Sequence, residues 1–314
     1  MPLGLRRGIV TAVLESRERL ARLEVDGIAC IAYPRLTGEI AVGDDVLVNE
    51  HARLLELGSG GFDILYANLT RGLGLAAEMG AHVIALPYTP GQVTLCYKEE
   101  TAEFAATLDG LPIVLCTLHS QVAPVCAGLA GLRVAYVQVQ GGALPVSFSD
   151  AVPTLQELGL LGSTIAVAPC LDGDVECVTA AAAFAWAAAE GYDVVVCSIG
   201  PGIVGTGTRL GHGALTLADA ANVATALGGR PVLAVRRSDA DARERHRGVS
   251  HHAEAVLALC LGEVVTASAD EGEGWEEACA GLPLSHMGRG PAEDASFFRS
   301  AYAAGLAARE LRGR

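Results

Sequence analysis

Through residue 70 the chain alternates apolar and polar side chains in short runs. Residues 7–14, 20–25, 28–33, 45–49 and 62–68 each carry a period of two. In a strand that period turns one face to a core and the other to water. Asp26-Gly27 separates two of these runs, where a tight hairpin needs residues that tolerate positive φ, and Gly43-Asp44 precedes another. Several short strands with little helix between them predict a small β-barrel or sandwich. Residues 82–88 and 92–98 add a strand pair turned by Thr89-Pro90-Gly91.

Beyond residue 100 the alternation stops. Continuous apolar runs at 112–117, 133–139, 164–168, 193–198, 231–235 and 263–267 intersperse with Ala- and Leu-rich stretches at 121–130, 150–159, 173–190, 216–228, 251–261 and 292–311. Strands covered by helices on both faces lose alternation, and these spacings suit right-handed β-α-β crossovers. Pro153 lacks an N–H and belongs in a first helical turn, which puts the cap at Asp150. Thr216-Leu217-Ala218-Asp219 has capping-box spacing with Asp in place of Glu, and Ser250 reads as an N-cap. The expected architecture is α/β. A β-rich domain at 1–98 precedes a Rossmann-like, three-layer domain with a mostly parallel sheet at 99–314, ending in a helix.

Composition narrows the class. The 314 residues suffice for about two domains of ~150 residues. With 51% hydrophobic and 18% charged residues, disorder, coiled coil and collagen are excluded. A formal charge of −14 argues against a nucleic-acid surface, which needs a basic face. Nine cysteines without a C-x-x-C pair point to free thiols in a reducing cytoplasm. The longest stretch without Asp, Glu, Lys or Arg, 110–132, is broken by Pro112, His119, Pro124, Gly128 and Gly131, so a buried strand, loop and helix are expected there. No targeting segment or membrane partner is expected, and the apolar fraction suggests a homodimer.

The unusual residues follow the apolar runs. Thr117-Leu118-His119-Ser120, Gln140-Gly141-Gly142-Ala143-Leu144-Pro145 and Cys170-Leu171-Asp172-Gly173-Asp174 follow three of them. Gly200-Pro201-Gly202-Ile203-Val204-Gly205-Thr206-Gly207-Thr208-Arg209 follows the next, and a loop from Arg236 to His252 follows the fifth. Parallel strands would bring all five loops to one sheet edge, where open α/β sheets bind ligands.

Tyr88-Thr89-Pro90, Leu118-His119-Ser120, Gly141-Gly142-Ala143-Leu144-Pro145, Gly202-Ile203-Val204-Gly205-Thr206-Gly207-Thr208 and Arg245-His246-Arg247-Gly248-Val249-Ser250-His251-His252 resemble a largely actinobacterial family, domain of unknown function 3866. The resemblance covers almost the whole chain. It implies no assigned activity or catalytic residue, so each role rests on local chemistry.

Gly200, Gly202 and Gly205 fit G-x-G-x-x-G after a strand, and Arg236 and Arg237 end the next strand where an NADP-binding protein carries a basic group. Against a dinucleotide, Gly207, Gly211 and Gly213 extend the loop to about Thr216 before a helix opens. Backbone N–H groups and the Thr206 and Thr208 hydroxyls suit a phosphate or carboxylate. Arg236, Arg237, Arg243, Arg245 and Arg247 place five guanidiniums in twelve residues, interleaved with Asp239, Asp241 and Glu244. They favour an anionic ligand, or pair among themselves on a solvated loop. His119, His212, His246, His251 and His252 fall in the same loops; three of them with an Asp would suit a divalent metal, although the spacing matches no ligand motif. Asp172, Asp174 and Glu176 read as carboxylates at a helix start, where a lowered pKa would activate Cys170. Ser120 beside His119 lacks the G-x-S-x-G elbow.

The expected function is that of an enzyme, a hydrolase or transferase, acting on a small phosphorylated or carboxylated metabolite. Gly202, Gly205, Thr206, Gly207, Thr208 and Arg209 would form the anion-binding loop, Arg236 and Arg237 would neutralise the ligand, and His119, His251 and His252 would move protons. The alternatives are a non-enzymatic ligand-binding or regulatory protein and an NADP-dependent oxidoreductase.

Overall fold

The computed structural model describes residues 3–56, 60–76 and 79–313. The chain divides into two compact units, Met1–Leu95 and Cys96–Arg314.

In the first unit β1 (Leu5–Ser16), β2 (Ala21–Val25), β3 (Ile28–Ala32), β4 (Asp45–Asn49) and β5 (Asp63–Asn68) close into a barrel in the order β1-β2-β3-β5-β4. The open question between barrel and sandwich is decided by β1. It pairs β4 through Leu5–Ile9 and β2 from Val10 onward, with register shifts at Val10/Ala12 and Val13/Glu15. Such irregularities bend a strand, which lets one strand serve two neighbours around a closed core. Val10, Leu23, Val25, Val46, Val48 and Leu65 fill that core. Asp26 and Gly27 both take positive φ, as the two-residue hairpin requires. Short helices α1 (Pro34–Thr37) and α2 (His51–Leu54) and an antiparallel pair, β6 (Val83–Ala85) with β7 (Val93–Leu95), complete the unit.

The second unit holds a seven-stranded sheet. Its strands are β8 (Pro112–Cys116), β9 (Val134–Val139), β10 (Thr164–Val167), β11 (Val175–Cys177), β12 (Val194–Ile199), β13 (Arg230–Ala234) and, after a small ribbon of β14 (Arg237–Ser238) and β15 (Gly248–Val249), β16 (Val265–Thr266). The order is β11-β10-β9-β12-β8-β13-β16, and every pairing within the sheet is parallel. The chain therefore runs outward from β8 to β11, returns to insert β12 between β9 and β8, and ends on the other side.

Helices cover both faces. Ile113 and Leu115 pack with Phe184 of α5 (Ala180–Ala189), Leu217 of α6 (Thr216–Ala226) and Val256 of α7 (His251–Leu259). Val114 and Cys116 pack oppositely, with Val122 of α3 (Val122–Gly128), Leu155 of α4 (Ala151–Glu157) and Ala304 of α9 (Ala295–Arg312). A short α8 (Trp275–Ala278) lies between α7 and α9 in the chain. Residues 110–132 form β8, a loop and α3, and among the described residues no helix is long and apolar enough to cross a membrane.

Three local expectations are corrected. The helix expected over 173–190 begins at Ala180, capped by Thr179, whose side chain accepts from the Ala182 N–H. Residues Val175–Cys177 instead extend the sheet beside β10. Asp172, Asp174 and Glu176 are thus not at a helix start: the Asp174 carboxylate accepts from the backbone and hydroxyl of Thr164, and Glu176 accepts from the Gly173 N–H. Cys170 is buried well before the helix, and burial pushes its thiol up to about 12, opposite to an activated nucleophile. At α4 the residue in the cap position is Asp150, but the capping bond comes from Ser149, which accepts from the Val152 N–H. Thr216 is already helical after a 3-10 turn at Gly213–Leu215, so no capping box forms. Ser250 does cap α7, accepting from the His252 N–H at 3.2 Å.

Candidate functional site

Because the sheet is parallel throughout, the loops after β8, β9, β10, β12 and β13 share its carboxyl edge. The loops after β9 and β12 meet backbone to backbone. A Cβ at Gly142 would stand 2.1 Å from the Gly200 carbonyl oxygen, and one at Gly213 would stand 2.1 Å from that of Gly141. The glycines at these positions are required by contact between loops. Val204 donates to the Gly141 carbonyl, and Gly213 donates to that of Val204.

The segment between is a small hairpin. Gly205 bridges to His212, Thr206 N–H donates to the Gly211 carbonyl, and the Thr206 and Thr208 hydroxyls bond each other at 2.8 Å. Gly202 has φ of +71°. No helix opens at Gly205; the first helical turn is Gly213–Leu215. The hairpin delivers His212 to the start of α7.

The loop after β13 folds back on itself. The β14–β15 pairing and a bond from Ser250 N–H to the Arg236 carbonyl return the chain to its starting point. His246, His251 and His252 therefore gather around His212. The His212 and His252 rings stack at 3.9 Å between centroids, His251 lies 4.5 Å from His252, and His246 lies 4.8 Å from both. His246 Nδ1 bonds the Ser250 hydroxyl at 2.7 Å. Both nitrogens of His212 and Nε2 of His251 are buried without a well-aligned hydrogen bond, although the Arg209 backbone acts on His212. One nitrogen each from His212, His251 and His252 falls within 4.8 Å of the others, close enough to share an ion. Burial holds His246 at about 3 and His252 at about 2, assisted by Arg236 and neighbouring histidines, and lowers His212 and His251 too. At neutral pH the cluster offers uncharged imidazoles.

Arg236 is only 2% exposed. Its Nη1 donates to His252 Nδ1 at 3.2 Å, and its Nη2 faces Asp241 at 3.3 Å. Burial lowers the guanidinium to about 10. Burial opposes charge on Asp241 as well, but bonds from Arg243 hold that carboxyl well below the usual range, and Arg289 approaches it at 3.6 Å. Arg209, Arg237 and Arg245 are exposed. Among the described residues none of the three is paired with a carboxylate. The Arg245 guanidinium lies over the hairpin, 3.8 Å from where a Gly207 Cβ would stand, and its charge acts on His251.

His119 is engaged elsewhere on the edge. Its Nε2 bonds the Ser149 hydroxyl at 2.7 Å and its Nδ1 the Tyr136 hydroxyl at 3.2 Å. Tyr136 donates in turn to Gln138, whose amide donates to the carbonyls of Ala143 and Leu144. Burial pushes His119 down to about 4.

Three participants went unmarked in the sequence. His286 stacks on Phe297 at 3.8 Å and bonds the Ser120 hydroxyl at 3.3 Å; burial lowers it to about 3. Arg289 pairs with Asp294 at 3.1 Å, and Asp294 accepts from Ser238 at 2.6 Å. They stand more than 30 residues beyond His252, the end of the loop after β13, and no local pattern distinguishes them.

A family model described as "Protein of unknown function (DUF3866)" matches residues 29–275. The chain belongs to the DUF3866 family. The matched span holds the glycine hairpin, the arginine loop and all four clustered histidines, whereas Arg289 and Asp294 lie beyond it. No curated protein matches the chain.

Proposed function

We propose that this DUF3866 protein is a cytoplasmic enzyme, a hydrolase or transferase, that binds a small phosphorylated or carboxylated metabolite at the carboxyl edge of a Rossmann-like domain. The observation that carries the reading is the histidine cluster with exposed Arg245, which has no carboxylate partner, acting on His251, in a chain of charge −14. Acidic residues are abundant, so an exposed arginine left unpaired beside the cluster, with buried Arg236 behind it, creates a local positive potential suited to an anion. Arg209, Arg237 and Arg245 hold the anion, and buried Arg236 adds charge from behind His252. Gly202, Gly205, Thr206, Gly207 and Thr208 frame the same mouth. His251, the most accessible of the clustered histidines, takes the proton from the attacking water or hydroxyl, with His252 beside it. The bonds of His119 to Ser149 and Tyr136 favour a role in holding the loop after β9. A dinucleotide is less well supported, because pyrophosphate sits on a helix N-terminus and a hairpin occupies that place.

Titration calorimetry with inorganic phosphate and small carboxylates, alongside a thermal-shift panel of phosphorylated metabolites, tests this. Ligand binding raises the melting temperature. Arg245→Ala is expected to weaken anion binding by about 1–3 kcal/mol while leaving the fold intact. An absence of any anion-dependent shift at millimolar concentration sinks the reading. Binding without turnover of aryl phosphate or aryl ester substrates transfers it to a non-enzymatic binding protein. A homodimer is part of the proposal, and light scattering that gives the 32.3 kDa mass of a single chain removes that part.

A further inference from the structure

We propose that His212, His251 and His252 are the ligands of a divalent first-row transition ion of the zinc class. A buried polar atom without a hydrogen bond costs about 1–3 kcal/mol, and native proteins keep few of them. Here His212 and His251 each bring an unpartnered buried nitrogen to one cluster, and each imidazole offers one lone pair to an ion. Among imidazoles that face each other, an ion is the partner that takes one lone pair from each at once.

The geometry is close to what an ion needs. Four-coordinate bonds of about 2.0–2.1 Å hold the ligand nitrogens about 3.4 Å apart. The nitrogens offered by the three residues already lie within 4.8 Å of one another. Rotation of the rings supplies the remaining approach. His212 turns most easily, since neither nitrogen is held by another side chain, and its stack on His252 opens as it turns.

The surroundings hold the ligands in place. A Cβ at Gly205 would stand 3.0 Å from His212 Cβ, so the hairpin backs this residue directly. His251 and His252 occupy the first turn of α7, and Ser250 both caps that turn and fixes His246 beside them. The donor set contains imidazole alone. Imidazole suits zinc, cobalt, nickel and copper, whereas magnesium and calcium require oxygen ligands.

Arg236 adds a condition. Its Nη1 donates to His252 Nδ1, so His252 gives up that bond to ligate an ion: at Nδ1 the ion replaces the donor, and at Nε2 it leaves the proton on Nδ1, and in both cases the ion meets a buried positive charge. The fourth position therefore calls for an anion. This last step rests on the reading given above, which supplies the anion at the same mouth, but it replaces the proton-accepting role given there to His251 and His252, whose lone pairs the ion takes; the ion site itself stands on the nitrogens.

The full chain, dialysed against a chelator, is titrated with Zn2+ by calorimetry and with Co2+ by visible absorption, without any substrate. The expected result is one ion per chain, a tetrahedral-type cobalt spectrum, and no uptake of Mg2+ or Ca2+. His212→Ala and His252→Ala should each weaken binding roughly 100-fold or more, beyond the loss typical of removing a supporting residue. His82→Ala, which changes an exposed histidine of the barrel unit, should leave affinity unchanged. If His212→Ala fails to fold, His212→Asn makes the same test. No uptake at micromolar ion, or equal affinity in folded variants, overturns the proposal. Ion uptake without phosphate binding removes the anion reading and leaves the site; phosphate binding without ion uptake does the reverse.

Discussion

His119 and His212 lie at the carboxyl edge of one sheet, in the loops after β8 and β12, and burial lowers the pKa of both. Their nitrogens are treated differently. Each ring nitrogen of His119 has a hydroxyl partner, and through Tyr136 and Gln138 the bonds continue into the backbone of the loop after β9. Neither nitrogen of His212 bonds another side chain, the Arg209 backbone acts on it too weakly to prevent a lowered pKa, and its ring meets other rings. Burial and depressed basicity are thus shared, and the difference lies in where the lone pairs go. A closed network makes a histidine part of the scaffold, whereas open lone pairs beside other open lone pairs make a binding site.

The largest expected effect lies in the charge behind the open cluster. Asp241→Asn leaves buried Arg236 without its carboxylate, and loss of one member of a buried pair typically costs about 3–5 kcal/mol. Urea unfolding measures this, and a loss below about 1 kcal/mol would show that Arg236 finds compensation elsewhere.

The closed network comes next. Tyr136→Phe removes a hydroxyl shared by His119 and Gln138 and should cost about 1–3 kcal/mol, without altering ion or anion binding. Stability unchanged by this variant would break the contrast from the side of His119.

Acid should act through His119 and His286 alongside the buried histidines of the open cluster. The His119 pKa is about 4 in the folded protein against 6.5 ordinarily, and that of His286 is about 3. Below about pH 6.5 the unfolded chain binds protons that the folded chain refuses. Their contribution is therefore fully present above pH 6.5 and declines as pH falls toward 4 and then 3. Ser149 and Tyr136 face His119, while Arg236, Arg289, Asp241 and Asp294 act on His286. Melting temperatures at pH 7.5 and 5 report it; a rise on acidification contradicts the assignment.

The smallest effect is expected at the open site. His212→Leu removes a buried imidazole that no other side chain bonds, so the ion-free protein should change by less than about 1 kcal/mol while losing ion binding. A loss as large as that of Tyr136→Phe would mean His212 is as structural as His119.

Local pattern determined much of this protein. Alternation marked all five barrel strands, and unbroken apolar runs marked six of the seven strands of the parallel sheet, because burial on one face or two is written directly into a segment's own side chains. The Ser250 cap was equally local. Val175–Cys177 escaped because three residues carry no period, and their hydrogen bonds are supplied by β10. At α4 the neighbouring Ser149 reached the free N–H groups where Asp150 was expected to, a choice made by backbone geometry. The glycine loop was legible as a special loop. That its glycines answer to contacts between loops, and that it carries His212, depends on β12 being inserted beside β9. Tertiary structure alone gathered His212 with His251 and His252, separated His119 from them, and brought Arg289 and Asp294 to Asp241 and Ser238. Strand order depends on crossovers that span tens of residues, and a site assembled across such distances leaves no trace in the periodicity of any one segment.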